Sequence, residues 1–379
     1  MVNSSNNVLG IIFPNSYDNV VPELVTERLM ASIPFASRYR MIDFVLSSMA
    51  NCGIDNISII VRKNYHSLMD HLGAGREWDL TRKNGGLSII PPFAEKTVKM
   101  YTGRVEALAS ILPLLKDEKE KYVVMCDTNI AVNFDFNALI DAHIASGADV
   151  TIAYKEEPIP EGLRSPNYDK DLYYTLSMEE NRVKKIYINS EAEGPQNLSM
   201  NIYVLERKLL IDLINTAYVR GFAYFERDIL AQQIDKLNIQ GYKFDGYTAR
   251  ISGMKSYFDE NMKLLNEENL DGLFSGHQIY TKIRDDNPTR YISGAKVKNI
   301  MAADGCVIEG EVENSVLFRG VKIGKGAKVK NCVLMQDTVV EEGANLEYVI
   351  TDKDVTITAG KELKGTDSFQ VYAAKYQKI

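Results

Sequence analysis

Four cysteines in 379 residues leave little room for disulfide or thiolate–metal chemistry. Cys52, Cys126, Cys306 and Cys332 are far apart, form no CxxC pair and stand in apolar runs, so they read as reduced core thiols. Histidine is as scarce. His66, His71, His143 and His277 show no HxH or HExxH spacing, which removes the usual helical zinc motifs and leaves structural roles. Long hydrophobic runs are missing as well: no stretch approaches the roughly 18 apolar residues of a membrane span. The N-terminal MVNSSNNVLGIIFPNS has no basic n-region and too short an apolar run for a signal peptide, so a cytoplasmic location is expected. Positive charge is not in excess. A net charge of −7 argues against general affinity for nucleic acid or an anionic membrane, so any phosphate must meet a local basic cluster.

What is present is ordinary for a soluble globular protein, with 45% hydrophobic and 25% charged residues, and the length suggests two domains. Up to about residue 265, apolar runs at 8–13, 57–61, 122–126 and 150–153 predict strands. Helical patterns at 42–49, 65–72, 104–115 and 136–146 lie between them. Such alternation predicts an α/β domain with a mostly parallel sheet, and ligands at the carboxyl ends of its strands. Residues 266–292 read as a polar connector. From 293 to 379 the period changes: Ile323, Val329 and Met335 recur every six residues, as do Val333 and Val339. With units such as KIGKGAKV and no hairpin dipeptide between the runs, this predicts a parallel β-helix.

Two blocks carry a family likeness. Pro34–Phe44 (PFASRYRMIDF), followed by Val45-Leu46-Ser47-Ser48 and by Asn51-Cys52-Gly53-Ile54, resembles the PFGGKYRxIDFxLSN…xSGI block of glucose-1-phosphate adenylyltransferases. His71-Leu72-Gly73-Ala74-Gly75, Trp78-Asp79-Leu80, Arg82 and Gly85–Pro92 resemble that family's HIGxGxxWDLDRxxGGVxILPP region. The likeness covers nearly the whole chain. It implies a Rossmann-like nucleotidyltransferase domain followed by a left-handed parallel β-helix.

The family moves an adenylyl group from ATP to glucose 1-phosphate, a reaction that rests on positioning and on neutralising phosphoryl oxygens. Where the resemblance implies a glycine-rich phosphate loop (GGxGxRLxPLT), this chain has no glycine from Pro14 to Leu24 and carries the acids Asp18 and Glu23. Where it implies a lysine there is Met30. Of two Mg²⁺-binding aspartates, one is kept as Asp127, and the other falls at Ile251 or Arg250. The sugar-phosphate lysine is missing from Ile186–Glu191. The nearby LSMNIYV segment resembles ASMGxYxF, keeping Ser199 and placing Asn201 at a glycine. The GRVEALA stretch, residues 103–109, resembles GTADAV, with Arg104 for threonine and Glu106 for aspartate. No catalytic residue and no metal ligand set is therefore expected. Asp127 and Ser199 mark a vestigial substrate pocket, with Asp127 either a former metal ligand or a turn residue.

This pattern resembles the GlgD-type branch of the ADP-glucose pyrophosphorylase family. The resemblance implies a non-catalytic regulatory subunit in bacterial glycogen synthesis, joined to a catalytic paralogue in a hetero-tetramer. No cofactor is implied, and Mg²⁺ enters only under the alternative, an adenylyltransferase with weak or atypical activity of its own. Arg38 and Arg40 sit where the family's GKYR motif meets activator phosphates, and they suit a sugar-phosphate or glycolytic effector. They could equally pair with local acids such as Asp43. Arg319 and Lys322 form a second small basic group on the coil.

Overall fold

The computed structural model describes residues 7–83, 85–92, 101–164 and 172–379. The expected strands form as Val8–Phe13, Asn56–Ile60, Tyr122–Asp127 and Val150–Pro158. Val8–Phe13 lies parallel to both Asn56–Ile60 and Tyr122–Asp127 and is buried along its whole length. Its unbroken apolar run is what a central parallel strand with two covered faces requires. Gly86–Ile90 extends the parallel set at one edge. On the other side Pro195–Glu206 enters antiparallel, followed by Val150–Pro158, Ile239–Lys243, Arg182–Ile188 and Tyr174–Glu179, giving a mixed nine-stranded sheet. Val150–Pro158 runs past the apolar segment because its ladder to the long strand continues to the pair Pro195↔Pro158.

The helical run 104–115 is two helices, Arg104–Ser110 and Leu112–Asp117, broken at Ile111. Proline explains the break. Within one helix Pro113 would lack an N–H and clash with the preceding turn; in the first turn of a new helix it costs nothing. Phe136–Ser146 keeps its bounds: Asp135 accepts hydrogen bonds from the N–H groups of Asn137 and Ala138, and Gly147 closes the helix at φ 60°.

The polar stretch after residue 265 contains a helix, Glu267–Phe274, whose N-terminus is capped by the Asn266 side chain. The helix turns Leu273 inward and sets Phe274 against Tyr39 and Phe44, ring centroids 5.1 and 5.9 Å apart. Three apolar side chains among many polar ones were too few to show a period in the sequence.

From Arg290 on, every named ladder is parallel. Ile308, Ile323, Val340 and Ile357 stack coil upon coil, as do Val312, Val329, Leu346 and Leu363. This is the β-helix that the six-residue period predicted. Ile323 and Val329 point into its core, whereas Val333 and Met335 point outward and are buried against the first domain. There they share one apolar cluster with Phe35, Phe44, Tyr257 and Phe258. A buried ion pair, Arg28–Asp352 at 2.6 Å, crosses the same junction.

Candidate functional site

The glycine-free loop folds on its own side chains. Asn15 donates from Nδ2 to Asp18 Oδ2 (2.9 Å) and accepts the Arg62 N–H (2.8 Å), while Asp18 Oδ1 accepts the Met30 N–H (2.7 Å). Burial raises the Asp18 carboxyl to about 6, against those hydrogen bonds. Tyr17, at φ 63°, turns its ring inward; its hydroxyl donates to Leu172 O and accepts from Asn201 Nδ2, both at 2.8 Å. The two acids that the sequence places in this loop both stay out of the cradle. Glu23 is exposed and away from the pocket, and Asp18 is turned back onto backbone, so Tyr17 is the loop residue that fills the cradle. Asn201 takes φ 55°, a left-handed conformation asparagine tolerates, which is how it stands at a position that resembles the family's glycine. Ser199 accepts the Asn201 N–H at 3.0 Å and supports that bend rather than facing a ligand.

Met30 is fully buried in the apolar cluster with Tyr17, Ile33 and Phe35. Asp127 ends its strand with its carboxylate against the Arg104 guanidinium, which also pairs with Glu226. Arg104 lies between two rings, 5.1 Å from the Phe13 centroid and 5.3 Å from that of Tyr203. Burial alone would lower its pKa, but the Asp127 charge and hydrogen bond outweigh this and raise it. Gly103 allows the approach that places Arg104, since a Cβ there would lie 2.2 Å from Ala223 O. The remaining cavity, about 120 Å³, is lined by Tyr17, Arg62, Tyr101, Arg104 and Tyr174 among others. That is below the roughly 300 Å³ at which small-molecule sites begin.

A divalent ion does not fit this arrangement. The first carboxylate already binds a guanidinium. Of the two candidates for the second, Ile251 is buried among apolar side chains, and Arg250 pairs with Glu157 at 3.1 Å and donates to Ser199 O.

A larger cavity of about 440 Å³ lies between the first domain and the coil. Arg38, Arg40, Lys282, Arg284, Arg319, Lys353 and Lys375 line it, against the acids Asp70 and Asp354. Arg40 donates from Nη1 to Ser67 O (2.7 Å) and Ser67 Oγ (2.9 Å). Asp43 receives only the Arg40 backbone N–H and, on its other oxygen, His71 Nε2 at 2.6 Å. Arg38 pairs with Asp304 of the coil at 3.5 Å, where both side chains remain 44% exposed. Arg319 belongs to the same cavity, whereas Lys322 stands exposed elsewhere on the coil, so the pair read as one basic group is split. Burial, then repulsion from Arg40 and Arg28, lowers Lys353 to about 7; burial lowers Arg40 to about 10. Lys353 had no local signal: Arg38 and Arg40 come from one domain, and this lysine arrives from a coil turn hundreds of residues later.

A titration follows. The folded pKa of Lys353 lies below its ordinary 10.5, so the unfolded chain binds the extra proton between about pH 7 and 10.5. Stability from this group is full above that window, falls as pH drops through it, and stays lost below pH 7. Lys353→Met should therefore raise the unfolding midpoint at pH 7, with the gain shrinking toward pH 10. Thermal melts of both proteins across this range check it; a gain independent of pH would rule it out.

Known protein families share this architecture. The nucleotidyl transferase profile matches residues 24–267, and the GlmU-like C-terminal hexapeptide profile matches residues 283–373. The chain is 35% identical over 364 residues to the glycogen biosynthesis protein GlgD of Bacillus subtilis, covering 96% of this chain and 94% of that one. It is 38% identical over 328 residues to GlgD of Geobacillus stearothermophilus, with 86% and 83% covered. It is 34% identical over 312 residues to the glucose-1-phosphate adenylyltransferase of the same organism, with 81% and 79% covered. Among the described residues no helix is long and apolar enough to cross a membrane. The chain belongs to the nucleotidyl transferase family, among the GlgD-type glycogen biosynthesis proteins and their glucose-1-phosphate adenylyltransferase relatives.

Proposed function

We propose that this chain is a non-catalytic regulatory subunit of a bacterial, cytoplasmic ADP-glucose pyrophosphorylase in glycogen synthesis, with a left-handed coil and a catalytic paralogue as partner in a hetero-tetramer. One observation carries the reading. The head of the sheet, where phosphates and metal would be handled, holds Tyr17 in the loop and Arg104 on Asp127. A site filled by its own side chains has no place for a triphosphate. Preorganised charge partners are worth about 10²–10³ in rate each, and effects of groups acting together do not simply add. Even so, a combined loss of about 10⁴ leaves no useful turnover.

The interdomain cavity supplies the regulatory half. Its excess of cations, with Arg38 exposed and Arg40 and Lys353 partly buried, suits a phosphorylated sugar. An effector there would touch both domains and so could bias how they pack.

The test mixes the purified chain with its catalytic paralogue and assays ADP-glucose formation at several concentrations of fructose phosphates. Co-migration and a changed effector response are expected, with Arg38→Ala in this chain weakening that response about tenfold, the scale of one charge-assisted hydrogen bond. Unchanged kinetics without co-migration would sink the proposal. The second reading, an adenylyltransferase in its own right, is favoured by the 34% identity to a protein of that name. Turnover near 1 s⁻¹, an ordinary enzyme rate, by this chain alone with ATP, glucose 1-phosphate and Mg²⁺ would decide for it.

A further inference from the structure

Two carboxylates and one guanidinium meet at the carboxyl end of the central strands. Asp127 ends the strand Tyr122–Asp127, and Glu226 lies in the π-helical turn Phe225–Leu230. That turn is pinned by Asp228, whose Oδ2 accepts the N–H groups of Ala223 (3.0 Å) and Tyr224 (2.9 Å). Arg104 reaches both acids from the first residue of its helix, one nitrogen to each. The Asp127 side chain is completely buried, that of Glu226 5% exposed and that of Arg104 11%. The other Asp127 oxygen, Oδ1, is buried and has no hydrogen-bond partner among the described residues. It is a carboxylate oxygen left unpartnered beside the small cavity that Asp127, Arg104 and Glu226 line, although buried polar atoms are normally satisfied.

Charge settles what the site wants. Two buried carboxylates carry −2 and Arg104 supplies +1, so its removal would leave two unscreened acids converging on one point. A divalent cation with oxygen ligands answers that charge, and one or two carboxylates are what Mg²⁺ or Mn²⁺ usually takes from a protein. We propose that Arg104 is a tethered cation standing in for a divalent metal, and that it keeps shut a latent two-carboxylate metal site made by Asp127 and Glu226. The ligand pair differs from the two-aspartate set that the family resemblance implies, because Glu226 comes from a different segment. The proposal rests on the geometry of the three side chains and stands whether or not the chain proves to be regulatory.

The experiment measures Mn²⁺ binding by electron paramagnetic resonance, together with thermal melts with and without Mn²⁺. It uses the full chain, Arg104→Met, and Arg104→Met combined with Asp127→Asn or Glu226→Gln. Arg104→Met keeps an apolar stem between Phe13 and Tyr203 while removing the charge. Expected are at least about tenfold tighter Mn²⁺ binding by Arg104→Met than by the unaltered chain, a midpoint that Mn²⁺ raises, and loss of both when either acid is neutralised. A folded Arg104→Met that binds Mn²⁺ no better than the unaltered chain overturns the proposal. If Arg104→Met does not fold, the triple variant with both acids neutralised decides. Recovery of folding there supports a counter-cation role for Arg104, and failure there means that the arginine acts by packing and the proposal falls.

Discussion

Asp352→Ala is expected to destabilise the protein by about 3–5 kcal/mol, the usual cost of removing one partner of a buried ion pair. Arg28 and Asp352 have side chains 4% and 5% exposed and meet at 2.6 Å. Asp352 also accepts the Lys353 N–H at 2.7 Å and the Tyr372 hydroxyl at 3.1 Å. Alanine would orphan the Lys353 N–H and leave a guanidinium that cannot lose its proton, while the Tyr372 hydroxyl keeps Glu23 O as acceptor at 3.1 Å. The position sharpens the effect, since Arg28 belongs to the first domain and Asp352 to the coil, and the cation would be stranded in the junction. Urea unfolding reads the loss directly. Replacing both residues by apolar ones of similar size should recover most of it, because such pairs hold little net energy over a packed apolar substitute. A loss under about 1 kcal/mol for Asp352→Ala would mean that water reaches the junction.

Met30→Lys is the second large effect, and the structure changes its sign. Read along the chain, the change restores a lysine that the family resemblance implies, and activity is not expected because the loop and the second acid are also missing. In the fold, Met30 is fully buried in an apolar cluster and its N–H is held by Asp18. A lysine there must desolvate its charge, give up its proton or push the loop open. Destabilisation by more than about 2 kcal/mol is expected, in the range of an uncompensated buried polar group, with no ADP-glucose formed. Measurable turnover from this single change would show that the loop still opens to a triphosphate, and would weaken the case that Tyr17 and Arg104 close the site.

Much of the fold was legible because it depends on periods. The unbroken apolar run 8–13 suits a strand covered on both faces, and the six-residue spacing of Ile323 and Val329 suits stacked coils. The helix at 267–274 escaped because it turns few apolar side chains inward among many polar ones. The break at Ile111 was visible in Pro113 but hidden under a continuous apolar pattern.

Absences were legible too. That glycine is missing from 14–24, lysine from position 30 and an acid from positions 250 and 251 could be read without coordinates, since each is a statement about one residue and its chemistry. What fills those gaps could not be read. Tyr17 enters the cradle, Asp18 turns away from it and Glu23 lies outside, because hydrogen bonds to Leu172, Asn201 and Met30 decide the loop and none of those partners is a sequence neighbour. The same holds for Arg104, whose meaning comes from Asp127 and Glu226, and for the cavity in which Arg38, Arg40, Arg319 and Lys353 converge. Sequence by itself determined the family, the two kinds of domain and the absence of glycine from 14–24, of lysine at 30 and of an acid at 250 and 251, because residue type and period are local properties. Only the tertiary structure decided which charges meet, because that is set by how distant segments pack into one core.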